Sequence, residues 1–111
     1  MRKNELEIQL ADGSQYKEIW LEGPEGQSVC ALINGNLGWL MYLRFEGDAG
    51  YSSRNPLESS EENIEFYLSN GQRDEYPKKW AYPLNTIKEA LFSFIDDGQL
   101  SKQVEWHDDS E

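Results

Sequence analysis

Apolar and polar positions alternate strictly near the N-terminus: Leu6, Ile8 and Leu10 stand against Glu5, Glu7 and Gln9. A period of two sends successive side chains to opposite faces, so the spacing predicts a short strand with one wet face. Asp12-Gly13-Ser14 then reads as a turn. Residues 16–21, with Ile19, Trp20 and Leu21, predict a second strand, which the turn signal Gly23-Pro24-Glu25-Gly26 ends. Two continuous apolar runs follow, Val29 to Ile33 and Leu37 to Phe45. Between them Asn34-Gly35 favours a tight type I′ hairpin, because both residues tolerate positive φ. In the second run Trp39, Met41, Leu43 and Phe45 share one face, and Leu40 and Tyr42 share the other. A strand apolar on both faces belongs in the middle of a sheet covered on both sides, and this marks the expected core.

From Gly47 to roughly Asn63 the chain is rich in Ser, Gly, Asn and Glu and reads as a loop. Ile64, Phe66 and Leu68 then alternate with Glu65, Tyr67 and Ser69, and a second Asn-Gly pair at 70–71 predicts a hairpin returning through Gln72 to Tyr76. Pro77 and Pro83 bracket an aromatic connector expected to be irregular. Leu84, Ile87, Leu91, Phe94 and Ile95 recur at helical spacing and predict a helix from near Pro83 to just before Gly98. Thr86 and Glu89 fit a capping box, and Gly98 suits the residue after the helix. Asp96 and Asp97 sit where the macrodipole disfavours anions, with no compensation visible in the sequence. Val104-Glu105-Trp106 predicts a last short strand, with Trp106 read as a core plug, and residues 107–111 read as an acidic tail. The expectation is one α+β domain over residues 1–111. Its antiparallel sheet has about five to six strands, with one main C-terminal helix packed on one face.

Composition narrows the function. The 111 residues carry 21 Asp and Glu against 10 Lys and Arg, a net charge of -11, which argues against binding nucleic acid through phosphates or adsorbing to anionic lipid. Aromatic residues make up 13%, a payload that argues against disorder. The single cysteine, Cys30, cannot form an internal disulfide and sits in an apolar run, as a small buried hydrophobe would. No signal-peptide or membrane-span pattern is present, so the expected compartment is the cytoplasm.

Catalysis finds no constellation. The only histidine, His107, falls in the charged C-terminal stretch, and the acid pairs Glu61-Glu62, Asp74-Glu75, Asp96-Asp97 and Asp108-Asp109 are what 21 acids in this length produce. Zinc and calcium spacings are missing, and the turn at 23–28 lacks the ending that grips phosphate. No catalytic, cofactor or metal site is expected, and the reading is that the chain is not an enzyme. Two segments stand out instead. Residues 46–56 gather Asp48, Tyr51 and Arg54 among two glycines, and residues 66–77 with Trp80 gather Asp74, Glu75 and Tyr76 around a hairpin. As scaffold, these would be turn glycines, rim-of-core rings, and Arg54 paired with Asp48 or Glu46. As a recognition surface, acids beside exposed rings suit capture of a basic protein partner.

At these segments the sequence resembles a known family. Leu40-Met41-Tyr42-Leu43-Arg44, the loop Gly47-Asp48-Ala49-Gly50-Tyr51-Ser52-Ser53-Arg54-Asn55-Pro56, the stretch from Phe66 to Pro77, the lone helix before Gly98 and the closing Val104-Glu105-Trp106 are similar to the Imm-one family of immunity proteins. That family belongs to bacterial polymorphic toxin and contact-dependent competition systems. The resemblance implies an α+β cytosolic protein encoded beside a toxin, commonly a nucleic-acid deaminase or nuclease, and neutralising it by stoichiometric binding. It implies partner contacts at Asp48, Tyr51, Arg54, Asp74, Glu75, Tyr76 and Trp80. Many members open with an amphipathic helix, whereas residues 1–15 here read as strand and turn. An acidic module regulating an endogenous partner, or a small enzyme using Asp48, Glu75 or His107, are the alternative readings. Homodimerisation through an exposed first strand also stays open.

Overall fold

Three strands in full antiparallel register form the spine of the molecule: β1 (Tyr16–Glu22), β2 (Ser28–Asn34) and β3 (Leu37–Leu43). The computed structural model describes residues 1–110; the last residue of the expected acidic tail, Glu111, lies outside the described residues. Beyond β3 the sheet continues through β4 (Tyr51–Arg54) to β8 (Glu105–Asp108). The two-residue β7 (Tyr82–Pro83) pairs with the other end of β3, at Leu37 and Gly38. β5 (Asn63–Tyr67) and β6 (Arg73–Pro77) form a separate hairpin. The expected α+β architecture is therefore present, with a sheet of the expected size and a C-terminal helix, α2 (Leu84–Asp97), packed against it.

Side-chain alternation along the spine sorts the apolar residues into two clusters. Ile19, Leu21, Val29, Ala31, Ile33, Leu40 and Tyr42 point to one face, where Ile87, Ala90, Leu91 and Phe94 of α2 cover them. Cys30, Leu32 and Trp39 point to the other, beneath Ile64 and Phe66 of the hairpin. The central strands are thus covered on both sides, and the hairpin makes a third layer where helix and sheet alone would make two. Gly38 permits the close seating of α2: a Cβ there would lie 2.8 Å from the Ile87 side chain.

The N-terminal strand expectation is overturned, because Lys3–Ala11 is a helix, α1. Leu6 is fully buried and Leu10 packs beside it, a spacing of four that a helix satisfies, while Ile8 is exposed. Glu, Leu, Gln, Lys and Ala are strong helix formers, and here propensity outweighs the period-two pattern. Homodimerisation through a strand at residues 5–10 has no strand to use. α1 also supplies compensation for the C-terminus of α2, where Lys3 Nζ lies 2.7 Å from Asp96, and a second tie nearer the start of α2, where Lys88 reaches Glu7 at 3.3 Å. Asp97 accepts from the backbone N–H of Gln99 at 2.9 Å.

Smaller corrections follow the backbone. The first hairpin turns on Gly35-Asn36, with only Gly35 at positive φ (60°), the type II′ pattern rather than the expected I′ on Asn34-Gly35. The loop expected over 47–63 contains β4, and the connector at 78–82 forms a 3₁₀ turn, Lys78–Trp80, before β7. Pro83 is the residue before α2, so Thr86 falls inside the first turn and the capping box does not form. His107 and Asp108, expected in a tail, are paired in β8 across from Ser52 and Tyr51.

Candidate partner-binding face

β4 leaves β3 after two paired residues, and the buried Ser53 hydroxyl takes over the bonding there. It accepts from Leu40 N–H at 3.1 Å and donates to the Trp80 carbonyl at 2.8 Å. Asn55 continues the tie, its N–H donating to the Lys79 carbonyl and its side-chain amide to that of Ala81. The 3₁₀ turn is thereby fixed against β4, which brings Trp80 over Arg54. The guanidinium carbon of Arg54 stands 3.7 Å from the Trp80 ring centroid, within cation–π range. Arg54 Nη1 donates to Ser52 Oγ and to the Ser53 carbonyl, and Nη2 lies 3.8 Å from Asp109. Burial lowers the guanidinium's pKa, and Asp109 opposes that shift.

The rings continue inward. Trp80 stacks on Tyr76 at 5.8 Å, and Tyr76 stacks on Trp39 at 4.6 Å with planes 16° apart. Four elements thus contribute to one column, Arg54–Trp80–Tyr76–Trp39, running from the surface to the sheet. The Tyr76 hydroxyl donates to Asp74 at 3.2 Å, and burial, reinforced by that carboxylate, pushes its pKa up to about 12. Gln72 holds the other Asp74 oxygen at 2.8 Å. An open groove of about 440 Å³ lies against the outer end of the column, between Trp80, Arg54, Asn55 and Glu58.

Of the seven expected contact residues, four are brought together: Arg54, Asp74, Tyr76 and Trp80. Glu75 points to the outer face of the hairpin, where Arg73 bridges it and Glu65 at 2.7 Å each. Asp48 and Tyr51 stand at the opposite end of β4. The Asp48 side chain is only 3% exposed and clasps Arg44 through Nε at 2.8 Å and Nη2 at 2.9 Å, and it accepts from Arg44 N–H as well. The Arg44 guanidinium and N–H hold the Asp48 carboxyl well below the usual carboxylate range. Arg44 also sits over the Tyr51 ring, at 5.3 Å. The scaffold pairing expected for Arg54 is therefore corrected: Asp48 belongs to Arg44, and Arg54 faces Asp109. Trp106 is half-buried against the helix-side core, edge-on to Tyr42, as a plug would be.

Sequence reading missed two aromatic residues. Trp20 and Phe45 are 45% and 56% exposed, and both line a single open cavity of about 650 Å³ on the hairpin side of the sheet. The signal for Trp20 was present: Ile19 and Leu21 are buried toward the helices, so alternation turns Trp20 the other way.

For chemistry, the arrangement offers little. Cys30 is 2% exposed and burial drives its thiol pKa far up, the reverse of an activated nucleophile. Asp48, Glu75 and His107 lie on three different segments and share no hydrogen-bond partner. No group of three or more His, Cys, Asp or Glu that could hold a metal ion occurs among the described residues. Nor, among them, is any helix long and apolar enough to cross a membrane.

No curated protein matches the sequence. The family model described as "Immunity protein Imm1" matches residues 5–108, nearly the whole chain. The matched span takes in α1 from Glu5 onward. A match over that span settles the family: this protein belongs to the Imm1 family of immunity proteins.

Proposed function

We propose that this protein neutralises a cognate toxin domain acting on nucleic acid, a deaminase or a nuclease, by one-to-one binding in the cytoplasm that covers the toxin's active site. The match to an immunity family over residues 5–108 carries the reading. The net charge of -11 supports the class of toxin, because an enzyme that grips phosphates presents cations, and opposite charge accelerates encounter. The contact face includes Arg54, Asp74, Tyr76 and Trp80. Their rings are already stacked, so little rotamer entropy is lost on binding. Glu75 lies at its periphery, whereas Tyr51, packed on the helix-side core at the far end of β4, and Asp48, which holds the turn after β3, act by positioning. Nuclease–inhibitor pairs built this way are among the tightest protein complexes known.

Co-expression is the test. The C-terminal domain of the secreted protein encoded beside this gene is produced in a laboratory host, alone and with this chain. Death alone, rescue together, and recovery of a one-to-one complex support immunity, and sequencing for converted bases against strand breaks identifies the chemistry. A harmless neighbour, or a lethal one that this chain neither binds nor rescues, overturns the reading in favour of a regulatory module for an endogenous partner.

A further inference from the structure

The hairpin covers only part of its side of the sheet. Cys30, Leu32 and Trp39 lie beneath it, but at the other end of the same face Trp20 on β1 and Phe45 just beyond β3 are exposed, with the half-buried Leu43 of β3 between them in the cavity lining. Trp20 and Phe45, both large exposed hydrophobic residues, line the same cavity. Two further observations separate this patch from ordinary surface exposure. First, Trp20 is held although it is exposed: its indole N–H donates to Glu18 at 2.8 Å, and the other Glu18 oxygen accepts from Ser69 N–H at 2.8 Å. The tip of the β5–β6 hairpin therefore fixes the orientation of an exposed tryptophan. A large ring already immobilised is the kind of group that dominates binding energy. Second, the only charged residues lining the cavity are acidic, Glu22 and Glu46. The nearest cation along the chain, Arg44, is neutralised by Asp48.

We propose that this bare half of the sheet is the main docking site for the toxin, accepting an apolar side chain flanked by lysine or arginine from the toxin's nucleic-acid-binding surface. The proposal rests on the immunity reading and gives it a location. Trp20 and Phe45 grip the apolar group between them, and Glu22 and Glu46 meet the flanking cations at the rim. A second copy of this chain is the weaker occupant, since it would set two acidic rims of a -11 protein against each other. The hairpin reaches the site through Ser69, whose N–H holds the Glu18 carboxylate that in turn holds Trp20.

The experiment is calorimetric titration of the neighbouring gene's toxin domain, inactivated by substitution at its own active site, into purified full-length protein. Trp20→Ala and Phe45→Ala are each expected to weaken binding by about thirtyfold or more, the size of a hot-spot loss, with unfolding temperature nearly unchanged. Phe45→Ala is the safer variant for folding, because its ring belongs to neither buried cluster and has the exposed Arg44 guanidinium, 5.8 Å from its centroid, as its neighbour. Glu22→Gln with Glu46→Gln is expected to slow association severalfold at low salt and to lose that effect at high salt. If wild type binds and both aromatic variants bind within twofold of it, the docking site is wrong while immunity stands. If wild type does not bind, both fall. A dimer of the free protein that Trp20→Ala dissociates would assign the patch to self-association and also overturn the proposal.

Discussion

The two faces of one sheet have been completed differently. On the helix side, α1 and α2 close over seven residues of β1, β2 and β3 and leave Ile33, Leu40, Ile87 and Leu91 without measurable exposure. On the hairpin side, a short two-stranded layer covers one end and leaves Trp20 and Phe45 in solvent at the other. Both faces are apolar, so burial alone would have favoured covering both. The closed face carries the stability, about 1.5–3 kcal/mol for each aliphatic side chain taken fully from water. The half-open face holds its aromatic groups in place without enclosing them, as a binding surface requires. The largest test of this division is Leu91→Ala on the closed face. It should cost about 3–4 kcal/mol in urea unfolding, through lost transfer energy and a residual cavity. Toxin affinity of the folded fraction should stay within twofold, and a large loss would mean that the helices belong to the interface.

Tyr76→Ala probes the opposite face and should act on both properties. It removes the ring between Trp39 and Trp80, and about 2 kcal/mol of stability should go with it. It should also loosen the hairpin locally, which Cys30 can report. That thiol lies under the hairpin, and its high pKa and burial make it inert in the closed state. Labelling by a thiol reagent should accelerate in Tyr76→Ala by more than in Leu91→Ala adjusted to the same global stability. Equal acceleration would show that the hairpin opens only with the whole molecule and is no separate layer.

The same contrast explains what the sequence disclosed. The spine was legible because both faces of β3 are apolar, a pattern that only a strand covered twice requires. α2 was legible because five apolar residues keep one period and Gly98 ends them, with φ at 69°. α1 was not, because Leu6, Ile8 and Leu10 satisfy a period of two as well as Leu6 and Leu10 satisfy a period of four. Tertiary contact with α2 and helix propensity decided it. β4 was hidden because its buried residues are Ser52 and Ser53, and serine gives no hydrophobic signal even where, as at Ser53, its hydroxyl stands in for a ladder bond. For the site, the Arg54, Tyr76 and Trp80 segments were picked out as unusual residues. Their stacking is a tertiary fact, since 22 residue steps separate Tyr76 from Arg54 in the chain. Trp20 was overlooked because, between two buried neighbours, it resembled core.

The smallest expected effect concerns the turn that joins the faces. Asp48 receives the N–H of Arg44 and both guanidinium contacts, and its own N–H donates to the Phe45 carbonyl at 3.2 Å. The clasp thereby sets the backbone that carries Phe45 toward the open face, while Arg44 rests on Tyr51 at the other. Because the folded Asp48 pKa is depressed below the ordinary value of about 3.9, the unfolded chain binds the proton more readily. The clasp's contribution is then fully present above about pH 5 and is lost as pH falls through the depressed value. Asp48→Asn should lower stability modestly at pH 7 and flatten the decline of stability below about pH 4. It should not abolish that decline, because Glu18, Glu65 and Asp108 are depressed in the same direction. Toxin affinity at pH 7 should fall less than in Phe45→Ala, since Asp48 positions the ring without touching the partner. A loss as large as Phe45→Ala itself would mean that the clasp, rather than the ring alone, determines the open face. An unchanged affinity with unchanged acid stability would separate the turn from both faces.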